Sequence, residues 1–114
     1  MAAGCDPVRV ITSADGRQVW VTARESDDLL CFSAAALQTD PARVLVATVR
    51  VGEAPVGLML VKNGSLIVVA DSNRFGAPGA NSSLSVVDVA ASARPRRAPP
   101  ARRRRPLRRC SPSR

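Results

Sequence analysis

The densest chemistry in this chain is cationic: Arg102, Arg103, Arg104 and Arg105 form one run, and Arg108 and Arg109 a second. Guanidinium groups at this spacing attract phosphate oxygens, with an affinity that falls steeply as salt rises. Basic clusters of this kind also serve as nuclear-localisation patches. The segment has no aromatic side chain for base stacking, so the binding expected of these six arginines is to polyanions without sequence preference. Asp71, Ser72 and Asn73 bring three oxygen-bearing side chains close together, a pattern open to a hard cation. Polar residues that close a strand into a loop are more commonly turn-makers, and that is the reading preferred here. Asp27 and Asp28 are adjacent carboxylates, expected to be solvated and not catalytic. The chain has no histidine, which removes the commonest general base and excludes Ser–His or Cys–His catalysis within it. No catalytic, cofactor-binding or metal-ligating residue is assigned, and no cofactor is expected.

Cys5, Cys31 and Cys110 are an odd set, far apart and without a C-x-x-C pair, which supports neither a disulfide framework nor a zinc site. Cys31 lies in the apolar run LLCF and is expected to be a small buried hydrophobe.

The formal charge of +8 is unevenly placed. Residues 1–91 carry seven basic and nine acidic side chains, whereas residues 92–114 carry ten arginines and no acid. A basic nucleic-acid-binding domain spanning the whole chain is therefore excluded. No apolar run approaches the ~20 residues that a membrane-spanning helix needs. The segment MAAGCDPVRV has neither the basic nor the apolar region of a signal peptide, so the default expectation is cytoplasmic.

The first 91 residues contain an internal repeat. PVRVITSADGRQVWVTA from Pro7 aligns with PVGLMLVKNGSLIVVAD from Pro55 at an offset of 48. After about seven extra residues in the second copy, within RFGAPGAN, DLLCFSAAA (28–36) aligns with SLSVVDVAA (83–91) at an offset of 55. A repeat of this length fits a four-stranded propeller blade. The Val-rich runs read as strands, and Asp15-Gly16 and Asn63-Gly64 as hairpin turns needing positive φ. ALQTDPAR leads in the first copy to a fourth strand, RVLVATVRV (43–51). Short Val-rich runs give helices little support. Gly52 and Gly57 flank a linker turn, with no helix following to make a phosphate loop.

The segments DPVRVITSADGRQVWVTARESDDLLCF and APVGLMLVKNGSLIVVADSNRFGAPGANSSLSVVDVA resemble YVTN-type β-propeller repeats. Trp20-Val21-Thr22 matches the aromatic–Val–Thr core of the family motif, while Ala23 stands where the family has Asn. Val68-Val69-Ala70-Asp71 keeps only the middle of it. The resemblance implies an all-β fragment of a propeller ring. A complete first blade would occupy 1–52, an incomplete three-stranded second blade 53–91, and a disordered Arg/Pro-rich tail 92–114. Trp20 is then a residue of the core or of packing between blades. Family members include surface-associated, binding and lactonase-like proteins, so the resemblance does not fix a chemistry. A lactonase site needs loops from most of a ring and would belong to a full-length relative.

The function expected is therefore an interaction or scaffold role, with partners in other blades or in self-association through open blade faces. The basic tail starts where a fourth strand is due. It is read first as the product of a truncated or frame-shifted end, with a solvated tail or a selected polyanion-binding segment as the alternatives.

Overall fold

The computed structural model describes residues 2–93 and Cys110. Strands β1 (Pro7–Thr12), β2 (Gln18–Ala23), β3 (Asp28–Ser33) and β4 (Leu45–Arg50) form one sheet in chain order. Strands β5 (Pro55–Val61), β6 (Leu66–Asp71) and β7 (Ser83–Asp88) form a second, and all neighbouring pairs in both are antiparallel. The described residues are thus mainly β, as the valine-rich runs predict. QVWVTA is strand throughout, and SLIVVAD is strand from Leu66 onward.

The small α-helical content of the described residues, to which the short runs give little support, is confined to the ends of the third strands. One short α-helix follows the third strand of each unit, α1 (Ala34–Thr39) after β3 and α2 (Val89–Ser92) after β7. Each is started by a side-chain cap: the Ser33 hydroxyl accepts from the Ala36 amide, and the Asp88 carboxylate from the Ala91 amide. The alanine-rich sequence that follows each cap has high helix propensity, which the strand-period reading overlooked.

The repeat recurs in backbone geometry at the same two offsets. Arg24 N donates to Asp6 O at 2.9 Å, and 48 residues on Ser72 N donates to Ala54 O at 3.0 Å. Glu25 N to Cys5 O and Asn73 N to Glu53 O form a second matched pair, at 3.2 and 3.0 Å. Asp6 and Ala54, also 48 apart, both take positive φ, 55° and 52°. Gln18 faces Ser33 in the first sheet as Leu66 faces Asp88 in the second, so the ladders share one register. The hairpin turns use Gly16 at φ 71° and Asn63-Gly64 at φ 54° and 82°, as the Asp-Gly and Asn-Gly dipeptides require. At the first turn Asp15 accepts from the Ser13 hydroxyl at 2.6 Å and the Arg17 amide at 3.0 Å. These bonds hold its carboxyl below the usual value.

The sheets pack face to face. Residues opposite one another in register share a face, so Ile11, Trp20 and Cys31 form one row and Thr22, Leu29 and Val49 the next. Trp20, Leu29 and Cys31 meet Ile67, Val69 and Val87 in a buried core. On the opposite face of the first sheet, Ala23, Leu30, Phe32 and Val44 form a smaller cluster under Ala36 and Leu37 of α1. Each large apolar side chain taken out of water contributes roughly 1.5–3 kcal/mol.

Cys31 is fully buried, as expected, and burial pushes its thiol from 9.0 up to about 11. The expectation of no disulfide is overturned: Cys5 and Cys110 are bonded, with Cα atoms 5.3 Å apart. Their separation of 105 residues leaves no local spacing signal to read. Reduction, or Cys110→Ser, is expected to lower the unfolding free energy by roughly 2–5 kcal/mol. Equal urea midpoints for the oxidised and reduced chains would contradict this. The buried thiol gives a second expectation. An acid whose folded-state pKa lies above its unfolded one costs stability once it ionises, so stability is lost as pH rises from 9.0 towards about 11. Urea titrations across that window should show a decline in the wild type that is shallower in Cys31→Ala.

Candidate interaction surface

The side chains with the most developed polar geometry lie at the seam between the sheets. Thr22 is fully buried; its hydroxyl donates to the Val56 carbonyl at 3.0 Å and accepts from the Arg9 amide at 3.2 Å. Asp27 sits in the β2–β3 loop at φ 56°. Its Oδ1 accepts from the Ala54 amide at 2.9 Å and its carbonyl from the Val51 amide at 3.1 Å. Arg50 reaches Asp27 Oδ2 at 3.3 Å and donates to the Ser26 carbonyl at 2.8 Å. Asp27 is therefore a tie between the units, which corrects its reading as a merely solvated carboxylate. Burial pushes the Asp28 carboxyl above its ordinary value, opposed by Arg50 at 3.8 Å.

Asp71, Ser72 and Asn73 do not converge on a common point. Asp71 is buried, and its Oδ2 accepts from the Ser85 hydroxyl at 2.6 Å and the Ser83 hydroxyl at 3.3 Å. Ser85 Oγ also accepts from the Gly52 amide at 3.1 Å, linking the connector between the sheets to the second sheet. Ser72 spends its hydroxyl on the Ala54 carbonyl at 2.9 Å, and Asn73 turns the chain at φ 50°. Asp71 Oδ1 has no hydrogen-bond partner among the described residues. Among the described residues no group of three metal-ligating His, Cys, Asp or Glu side chains occurs. Gly52 is set by this network: a Cβ there would lie 2.5 Å from Asp71 Oδ2 and 2.9 Å from Asp71 Cβ. Gly57, by contrast, has 3.7 Å to its nearest neighbour.

Trp20 is fully buried between the sheets, with Nε1 donating to Gln18 Oε1 at 3.3 Å. The loop that carries the extra residues of the second copy bends towards the first: Phe75 lies 5.6 Å from the Arg24 guanidinium, which also pairs with Asp6. Arg102, Arg103, Arg104, Arg105, Arg108 and Arg109 lie outside the described residues. No helix among the described residues is long and apolar enough to cross a membrane.

The remaining surface feature is apolar. Val10, Ile11 and Thr12 of β1 and Leu58, Met59 and Leu60 of β5 line an open groove of about 630 Å³ without a titratable side chain. The face of the second sheet turned away from the first carries Met59, Val68 and Val86 in one row and Ala70 and Leu84 in the next. Met59, Leu84 and Val86 are 59%, 70% and 64% exposed. Sequence reading anticipated open apolar faces but missed Thr22, Asp27 and Ser85 as ties, because their partners come from the other unit.

No family model matches the chain, and no curated protein matches it. Among solved structures it is similar to a chain of Kuenenia stuttgartiensis hydrazine synthase, with a TM-score of 0.61 and 17% identity over 79% of this chain and 22% of that one. At this identity the likeness is one of fold alone. The chain corresponds to only about a fifth of the solved chain's length.

The seam makes a differential prediction for two glycines. Gly52→Ala forces its methyl into the fixed Asp71 side chain and should cost about 1–3 kcal/mol. Gly57→Ala meets only ordinary contacts and should change stability by about 0.5 kcal/mol or less. Urea unfolding of both variants checks the pair, and equal effects would contradict the steric account.

Proposed function

We propose that residues 1–52 and 53–91 are consecutive units of a YVTN-type β-propeller and that the chain acts through its surfaces, as an interaction or scaffold element. The observation that supports this best is the recurrence of the same strand register and loop hydrogen bonds at offsets of 48 and 55, in two sheets stacked face to face. Propeller blades pack in this manner, each sheet burying apolar faces on its neighbours. The chain's chemistry agrees with a non-catalytic role. It has no histidine, and Asp27 Oδ1 and Asp71 Oδ2, at the seam, are engaged in structural hydrogen bonds. A lactonase-like activity, in this reading, belongs to a relative holding most of a ring.

A second reading rests on charge alone. Ten arginines without an acid in residues 92–114 attract polyanions, with Arg102, Arg103, Arg104, Arg105, Arg108 and Arg109 as the densest part. Selected binding would survive physiological salt and vanish on deletion of residues 92–114.

The blade reading is tested by a graft. Replacing residues 95–107 with a copy of residues 40–52 places a β4 sequence beside β7 at the repeat's own offset of 55. If the second unit is a blade, the graft pairs with β7, raises the melting temperature and protects β7 amides from exchange. Unchanged stability and unprotected β7 amides would overturn the assignment.

A further inference from the structure

The repeat assigns a partner to each open sheet face. At the offsets of 48 and 55, the outward residues Met59, Val68, Ala70, Leu84 and Val86 of the second sheet correspond to Ile11, Trp20, Thr22, Leu29 and Cys31 of the first. These are the residues with which the first sheet packs on the second; Trp20, Thr22, Leu29 and Cys31 are fully buried there. The receiving face of the second sheet, Leu58, Leu60, Ile67 and Val69, corresponds in turn to Val10, Thr12, Val19 and Val21 on the outer face of the first, while Phe32, at the place of Val87, is covered by α1. Each chain therefore presents at one end a copy of the surface that docks, and at the other a copy of the surface that receives. Val10 is 62% exposed at the receiving end, against Leu84 at 70% and Val86 at 64% at the docking end.

We propose that a second copy of this chain seats the outer face of its second sheet on the outer face of its neighbour's first sheet, head to tail. The segment Ala3-Gly4 also has its counterpart in the existing contact. A Cβ on Gly4 would meet Ala23 Cβ at 2.5 Å, as one on Gly52 would meet Asp71, so Ala3-Gly4 holds the place that Val51-Gly52 holds within the existing contact. The contact between copies is weaker than the one within a chain. Val68 stands for Trp20, Ala70 for Thr22 and Ser82 for Asp27, so the large aromatic and two of the polar ties are replaced by smaller groups. The association is accordingly reversible and concentration-dependent. Because the two surfaces differ, it does not stop at a dimer unless a ring closes.

Sedimentation velocity on the full chain at physiological salt, over a hundredfold range of concentration, is the test. The wild type should form reversible species larger than a dimer. Leu84→Glu/Val86→Glu removes the docking face and Val10→Glu/Thr12→Glu the receiving face, so each variant alone should be monomeric. A 1:1 mixture should form a dimer and nothing longer, since only one productive contact remains. Far-UV circular dichroism and Trp20 fluorescence establish that both variants fold. Should either unfold, Val86→Thr must still weaken association at least tenfold. A wild type that is monomeric throughout overturns the proposal, including the case in which residues 94–109 of the same chain cover the face. So does a variant that assembles like the wild type, or a mixture that stays monomeric. The proposal goes beyond the scaffold reading and needs only the equivalence of the two sheets, so its failure would leave the outcome of the strand graft unaffected.

Discussion

Burial of Trp20 between the two sheets is the constraint on which the remaining structure depends. An indole this large fits only where facing side chains interdigitate, and here Ile67, Val69 and Val87 supply the opposing surface. Its position on β2 obliges Leu29 and Cys31 to share its face through the strand register. That face in turn fixes which side of the second sheet is covered. The polar ties follow from the same contact. Thr22 can reach the Val56 carbonyl, and Asp27 the Ala54 amide, only because the apolar layer sets the spacing between sheets. Once dry, such hydrogen bonds are expensive to break, since their partners would be left buried and unsatisfied.

What the sequence disclosed, and what it withheld, divides by the range of the interaction. Strands and turns are local, and the alternation in QVWVTA together with Asp15-Gly16 and Asn63-Gly64 announces them directly. The internal repeat is also legible, because identical offsets in sequence become identical offsets in hydrogen bonding. The helix α1 was obscured because AAALQT is too short for its periodicity to register and depends on a single cap from Ser33. The roles of Asp27, Asp71 and Ser85 were hidden for another reason: each acquires its meaning from a residue in a distant segment. Asp71 looked like one of three oxygen donors in a row, yet the strand's alternation sends it inward while Ser72 turns to the backbone.

The two units are the same design with different chemistry at one recurring point. Gly4 faces Ala23 in the first, and Gly52 faces Asp71 in the second. Replacing a methyl by a carboxylate brings Ser83 and Ser85 into a hydrogen-bonded cluster, which the first unit, with Asp28 and Leu30 at those places, lacks. The connector between the sheets is thereby locked through the Gly52 amide. Divergence of this kind favours one neighbour for each sheet even where the apolar surfaces are alike, because polar ties such as Thr22 to Val56 and Asp27 to Ala54 are specific to that pairing.

The bond between Cys5 and Cys110 turns the polypeptide into a covalent lariat whose loop encloses nearly every residue. A protease that severs an exposed linker inside that loop produces two pieces still joined by sulfur. The cut protein would keep its mass until a reductant released the halves, so damage to the chain and separation of its parts become independent events.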